Sequence, residues 1–148
     1  MPAKKCHSIS VFLNQEYPSI VKSDGIYLYD DTGKRYMDAS GGPILCSLGY
    51  GNEKIAEVLK EQTLKAAYVF RMDFTTPELE ECCARICEKT NGAMDRVFMV
   101  SGGSEATETA IKLARKYQIE SGNPSRFKVI SRWLSYHGMT MGSLALSG

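Results

Sequence analysis

The sequence predicts an α/β fold that begins with a β-hairpin and continues into the start of a parallel sheet. Short β-favouring runs flank an Asp/Thr/Gly turn between residues 26 and 37, a pattern typical of a hairpin. Farther along, the apolar runs Val97–Val100 and Phe127–Ile130 enclose a helical segment, which is typical of a βαβ unit. Two parallel strands do not complete a covered sheet, so we expect the sheet to be incomplete and independent folding to be marginal or absent.

The helices start at recognisable capping residues or at a glycine-rich turn. Asn52 and Thr76 have short polar side chains that cap helices, and Pro77 suits a first helical position. The predicted helices cover about 52–67, 76–89 and 104–120. The segment before residue 20 is predicted to be irregular.

Composition indicates an ordinary globular protein of 148 residues. Lys and Arg total 18 and Asp and Glu total 17, so the net charge of +1 offers no basic surface for nucleic acid. No apolar run approaches the ~20 residues that cross a bilayer, and no signal-peptide core is recognisable. We therefore expect a cytoplasmic protein with no membrane partner.

The cysteines predict neither a disulfide framework nor a metal site. Five cysteines occur, an odd number, and none has CxxC spacing: Cys6, Cys46, Cys82, Cys83 and Cys87. We interpret them as small apolar residues of a reduced protein, and we predict no metal. The spacing gives no support to a thiol hydrolase that would pair one cysteine with His137.

The strongest chemical signal lies in the run Ser101-Gly102-Gly103-Ser104-Glu105, between a predicted strand and a helix. Free N–H groups at a helix N-terminus bind anions, and glycines allow a phosphate to approach the backbone. The run matches neither GxxxxGK[ST] nor GxGxxG, so it is neither a P-loop nor a dinucleotide fingerprint. An ordinary glycine-rich turn with a serine cap remains the alternative.

A second signal, Tyr136-His137-Gly138, follows the second predicted strand. Strand ends of a parallel sheet share one edge, so these residues are expected near the anion site. Tyr136 would stack on a planar ring, whereas alone it and His137 are more simply structural residues. The pairing favours a planar, phosphorylated cofactor, although an enzyme acting on a sugar phosphate or a nucleotide stays open.

Several stretches, in order and at this spacing, resemble a known family. They are Asp24–Asp30, Gly33–Asp38, Leu48–Gly51, Ser101–Arg115 and Tyr136–Gly142. From about residue 17 to 148, the chain resembles the N-terminal part of a class III (ω-amino-acid type) pyridoxal-phosphate-dependent aminotransferase. The resemblance implies an incomplete fold type I transferase of the aspartate-aminotransferase type. Residues 1–50 would belong to the small domain, and residues 51–148 would start the large, cofactor-binding domain.

The resemblance also implies roles for particular residues. The cofactor pyridoxal 5'-phosphate would be bound by Gly102, Gly103, Ser104, Tyr136 and His137. The substrate entrance would be lined by Tyr17, Pro43 and Ile44. The catalytic Schiff-base lysine would lie in a C-terminal part that this chain does not contain, so we predict no catalytic residue here.

The reaction implied by the resemblance transfers an amino group from a small amino donor to a 2-oxo acid, in a homodimer. As a truncated sequence, the chain is expected to lack normal turnover alone. Two alternatives stay open: a non-catalytic fragment that binds the cofactor or dimerises, and an aminomutase of the same fold.

Overall fold

The computed structural model describes residues 7–9, 11–12 and 15–148. Two compact units are present, Met1–Phe74 and Thr75–Gly148. The first contains β1 (Ile20–Asp24), β2 (Tyr27–Asp30), β3 (Arg35–Met37), α1 (Gly41–Ile44) and α2 (Glu53–Ala66). The second contains α3 (Pro77–Glu88), α4 (Gly103–Glu120) and α5 (Met141–Leu146). The domain boundary predicted at residue 50 stays a prediction.

The predicted hairpin is confirmed as β2 and β3, which pair antiparallel with Leu28 opposite Tyr36. A third strand, β1, pairs with the other edge of β2 and places Lys22 opposite Tyr29. The order along the sheet is β1-β2-β3. The sequence did not predict β1, because its polar Lys22-Ser23-Asp24 lacks β-favouring character and pairing alone makes it a strand.

A single carboxylate organises the hairpin turn. Asp30 is one of the few buried side chains, 6% exposed. Its Oδ1 accepts from the backbone N–H of Thr32 and of Lys34, both at 2.9 Å, and from the Thr32 hydroxyl at 2.6 Å. Its Oδ2 accepts from the Tyr36 hydroxyl at 2.7 Å. The turn is therefore fixed by its own side chain, as Asx-type turns are.

Gly49 allows the chain to return to the sheet after α1. Gly25 and Tyr50 exchange two backbone hydrogen bonds, of 3.0 and 2.7 Å. Gly49 has φ +75°, and a Cβ there would lie 2.8 Å from the Gly25 carbonyl oxygen. Only glycine combines that backbone conformation with so close an approach.

The predicted helices form with the predicted caps. The Asn52 side chain accepts from the Ile55 N–H, and the Thr76 hydroxyl accepts from the Leu79 N–H, each at 3.2 Å. Pro77 occupies the first turn of α3. By contrast, α1 is one irregular turn, because Gly42 and Pro43 leave helical backbone angles.

The two predicted parallel strands do not form a ladder. Residues 97–100 and 127–130 carry neither helix nor strand. A segment counts as a strand only when a ladder of backbone hydrogen bonds joins it to a neighbour, and no such ladder is formed at these described residues. Their apolar character predicts burial in a sheet, but it does not by itself produce a ladder of backbone hydrogen bonds.

No apolar side chain among the described residues is fully buried. The buried polar side chains are Asp30 and Ser143. Cys46, Cys82, Cys83 and Cys87 are free thiols, and burial raises the pKa of Cys83. Cys6 lies outside the described residues.

Acid should loosen the hairpin turn only when the pH falls to the lowered pKa of Asp30. Hydrogen bonds, chiefly from the Thr32 hydroxyl, lower the pKa of Asp30 from 3.8 to about 2. Because the folded value is the lower one, the stabilisation is complete above 3.8 and lost as pH falls through about 2. We expect the carboxyl ¹³C shift of Asp30, followed down to about pH 1, to have its midpoint near the lower value.

The matched comparison is between Asp30→Asn and Asp24→Asn, since Asp24 is an exposed neighbour at the end of β1. Asp30→Asn should expose the amides of Thr32 and Lys34 to hydrogen exchange at neutral pH, whereas Asp24→Asn should not. A midpoint for Asp30 near 3.8 would contradict the assignment.

Candidate functional site

The N-terminus of α4 has no capping side chain. Gly102 is the N-cap residue, in extended conformation. The N–H groups of the first turn have no intrahelical acceptors, and the helix dipole adds positive potential there. A Cβ on Gly103 would meet nothing within 4 Å, so the space beside it is free. The serine-capped turn considered from the sequence is therefore not what forms.

The loop that carries Tyr136 and His137 docks on the same turn of α4. The Met139 N–H donates to the Ser104 hydroxyl oxygen at 3.0 Å. The Thr107 hydroxyl lies 2.9 Å from the His137 carbonyl oxygen and donates to it. The structure thus brings together the two motifs that the sequence placed at one edge of a sheet, and it does so through hydrogen bonds between them.

Gly138 makes this docking possible. It is buried and has φ +130°. A Cβ there would lie 2.6 Å from the hydroxyl oxygens of both Ser104 and Ser143 and 2.8 Å from the Ser104 Cα. The Gly138 backbone therefore packs directly against Ser104 and Ser143, and any larger residue at position 138 would force them apart.

Glu108 anchors the far end of the loop, a role that the sequence analysis missed. Its carboxylate accepts from the Gly142 N–H at 2.6 Å. A hydrogen bond from the Thr140 hydroxyl, with others from backbone N–H groups, lowers the pKa of Glu108. Polar residues at positions 104, 107 and 108 share one helical face, and that i, i+3, i+4 spacing was the available signal.

The two ring-bearing residues differ in their surroundings. Tyr136 is 75% exposed, so a face of its ring is available for stacking. His137 is half-buried and held by its backbone, with its N–H donating to the Ser147 hydroxyl oxygen at 3.0 Å. The Ser135 hydroxyl lies 3.1 Å from His137 Nε2.

The residues predicted for the substrate entrance lie in the other unit, Met1–Phe74. The Tyr17 hydroxyl oxygen accepts from the Phe12 N–H at 3.3 Å. Pro43 and Ile44 end α1, where Ile44 is 89% exposed with φ +62°. Their contribution to a substrate entrance stays a prediction.

Asp38 holds the turn that carries Pro43 and Ile44. Its carboxylate accepts from the Tyr50 hydroxyl at 2.6 Å and from the Gly42 N–H at 3.1 Å. The hydrogen bond raises the pKa of Tyr50 to about 12 and lowers that of Asp38.

Within the described ranges, no three His, Cys, Asp or Glu side chains cluster as metal ligands would. Among the same residues, no helix has the length and apolar character needed to span a membrane. The open helix N-terminus, with hydroxyls and an exposed aromatic ring nearby, does fit a planar group that carries a phosphate.

A family model for class III aminotransferases matches residues 12–148. The chain belongs to the class III aminotransferase family. The aminotransferase YodT of Bacillus subtilis is 40% identical over 136 residues, which are 92% of this chain and 31% of YodT. This class III chain therefore spans about a third of the length of that relative.

Solved structures agree with the family assignment. An (S)-enantioselective omega-transaminase from Thermomicrobium roseum is 37% identical with a TM-score of 0.85, covering 89% of this chain and 30% of that one. A pyridoxal-phosphate-bound amine transaminase from an uncultivated Pseudomonas species is 29% identical with a TM-score of 0.87, covering 100% and 34%. These findings confirm the predicted family, the partial α/β fold of fold type I and pyridoxal phosphate as the family's cofactor.

Gly138→Ala should detach the loop from α4. The added Cβ clashes with Ser104 and Ser143 at an unfavourable φ, so we expect a cost of more than about 2 kcal/mol. That cost corresponds to roughly 30-fold less protection of the Met139 and Gly142 amides in hydrogen exchange.

Gly122→Ala is the matched control, because Gly122 also has positive φ but a Cβ there meets nothing within 4 Å. It should cost about 1 kcal/mol and leave the loop amides protected. Equal loop exposure in both variants would show that close approach is not what requires glycine at position 138.

Proposed function

We propose that this chain provides the phosphate- and ring-binding part of an aminotransferase that moves an amino group from a small amino donor to a 2-oxo acid. The observation that carries the proposal is the uncapped first turn of α4 with the Tyr136 loop hydrogen-bonded beside it. An anion site and a stacking surface at one place suit a cofactor that combines a phosphate with a planar ring, as pyridoxal phosphate does.

The phosphate would be held by the backbone of Gly102, Gly103 and Ser104 and by the Ser104 hydroxyl. Since Ser104 Oγ already accepts from the Met139 N–H, its own hydrogen is left to donate to a phosphate oxygen. The docked loop thus orients this hydroxyl before a ligand arrives.

The Glu105 side chain must move aside for an anion to bind. Its Oε2 lies 2.9 Å from where a Cβ on Gly102 would be, which places a carboxylate next to the open turn. The side chain is exposed, so rotation into solvent is inexpensive.

Tyr136 would stack on the pyridine ring, and His137 would shape the loop next to it. When bound, pyridoxal phosphate supplies the electron sink for the amino transfer. Neither Lys112, on α4 beside Glu108, nor the exposed Lys128 is proposed as the Schiff-base lysine. In this proposal, the chain's own residues bind and orient the cofactor, and none of them acts as the nucleophile.

We also propose a cytoplasmic homodimer with no nucleic-acid or membrane partner. Apolar side chains just before the Tyr136 loop support an assembly: Ile130 and Leu134 are each 96% exposed and Trp133 is 90% exposed. Such a surface normally packs against further protein. The same observation favours, as a second candidate, a non-catalytic role in cofactor binding or dimerisation.

Titration of the full chain with pyridoxal phosphate tests the proposal. We expect saturable binding in equilibrium dialysis, competed by inorganic phosphate. Gly103→Asp should abolish it, because the carboxylate occupies the free space and repels the phosphate. Gly103→Asn, of the same size without the charge, should retain weaker binding.

Pyridoxal is the matched ligand control, since it shares the aldehyde that reacts with surface lysines but has no phosphate. It should bind without saturation and without sensitivity to position 103. Equal binding of both ligands, or full binding by Gly103→Asp, would exclude a phosphate site at the start of α4.

A further inference from the structure

The His137 ring has a hydrogen-bonding partner, Ser135, that is not part of the first turn of α4. Its Nε2 lies 3.1 Å from the Ser135 hydroxyl oxygen. The backbone of the same residue is fixed independently, by Ser147 at the N–H and by Thr107 at the carbonyl oxygen. The contact between the ring and Ser135 is therefore not needed to fix the backbone of His137.

The direction of that contact follows from counting hydrogens. Ser135 Oγ lies 2.6 Å from the Arg132 carbonyl oxygen, which can only accept. A serine hydroxyl has a single hydrogen, so it is used there, and towards His137 the oxygen acts as an acceptor. His137 must then carry its hydrogen on Nε2.

We propose that Ser135 is a positioning residue that sets the tautomer of His137, holding it as the Nε2–H form and leaving Nδ1 as the acceptor. In a neutral imidazole one nitrogen donates and the other accepts, and the partner of one decides the role of the other. The proposal deepens the proposed function, since His137 adjoins the stacking residue Tyr136.

In the neutral Nε2–H form, His137 has one ring donor, which is engaged with Ser135, and one ring acceptor, Nδ1. The hollow beside it is lined by Ile130, Ser131, Arg132, Ser135 and His137. Among these residues, the Arg132 side chain only donates, whereas Nδ1 of the Nε2–H form of His137 only accepts. A ligand group that itself donates is the class that this ring can bind at Nδ1.

Ring ¹⁵N NMR on the full chain without pyridoxal phosphate tests the tautomer and does not depend on cofactor binding. The chain has only two histidines, and exposed His7 gives an internal reference for a freely exchanging ring. At about pH 8, we expect His137 as a single Nε2–H tautomer with an observable Nε2–H proton.

Ser135→Ala should abolish the Nε2–H signal and bring the two ring ¹⁵N shifts towards the averaged values of His7. Ser135→Thr, which keeps the hydroxyl, should restore both. Ser147→Ala is the matched control, because it removes a hydrogen bond to the backbone of His137 and leaves the ring contact in place.

Three results would overturn the proposal. They are an Nδ1–H or averaged ring in the unsubstituted chain, unchanged ring signals in Ser135→Ala, and the same loss of signal in Ser147→Ala. The last would show that loosening the loop, rather than the Ser135 hydroxyl, controls the ring.

Discussion

The candidate site depends on one close approach, that of the Gly138 backbone to the first turn of α4. Where a Cβ would stand, the Ser104 and Ser143 hydroxyl oxygens lie at 2.6 Å. This proximity lets Ser104 accept from the Met139 N–H and Thr107 donate to the His137 carbonyl oxygen. The orientation of the Ser104 hydroxyl, the position of Tyr136 and the anchoring by Glu108 all follow from that contact.

Both units use buried or half-buried polar groups where a larger domain would use an apolar core. In the first, Asp30 gathers its hydrogen bonds from the turn that it belongs to. In the second, Ser143 is fully buried, and its hydroxyl lies 2.7 Å from that of Thr140. Such networks are directional and specify conformation, but they bury little apolar area. The exposed apolar side chains mark where hydrophobic stabilisation would have to come from contacts with further protein.

Local signals predicted the three long helices, α2, α3 and α4, and the hairpin, because their causes are local, whereas the short helices α1 and α5 were not predicted. Asn52 and Thr76 cap the helices that they were expected to cap, and the Asp30 turn closes the expected hairpin. The strands expected at 97–100 and 127–130 did not form, because a ladder depends on backbone pairing with another segment and not on local residue types. In the same way, β1 forms by pairing with β2, although its own residues did not predict a strand.

The sequence by itself determined the family and the chemical character of the site: a glycine-rich helix start, an aromatic loop and their spacing. Only the tertiary structure decided how they fit together. It showed that α4 begins uncapped, that Glu108 anchors the loop and that Ser135 faces the ring of His137. The physical reason is that a residue type determines which bonds are possible, but not which of them form. The roles of a serine, with its one hydroxyl hydrogen, and of a glycine, with no Cβ, depend on the groups that the fold places next to them.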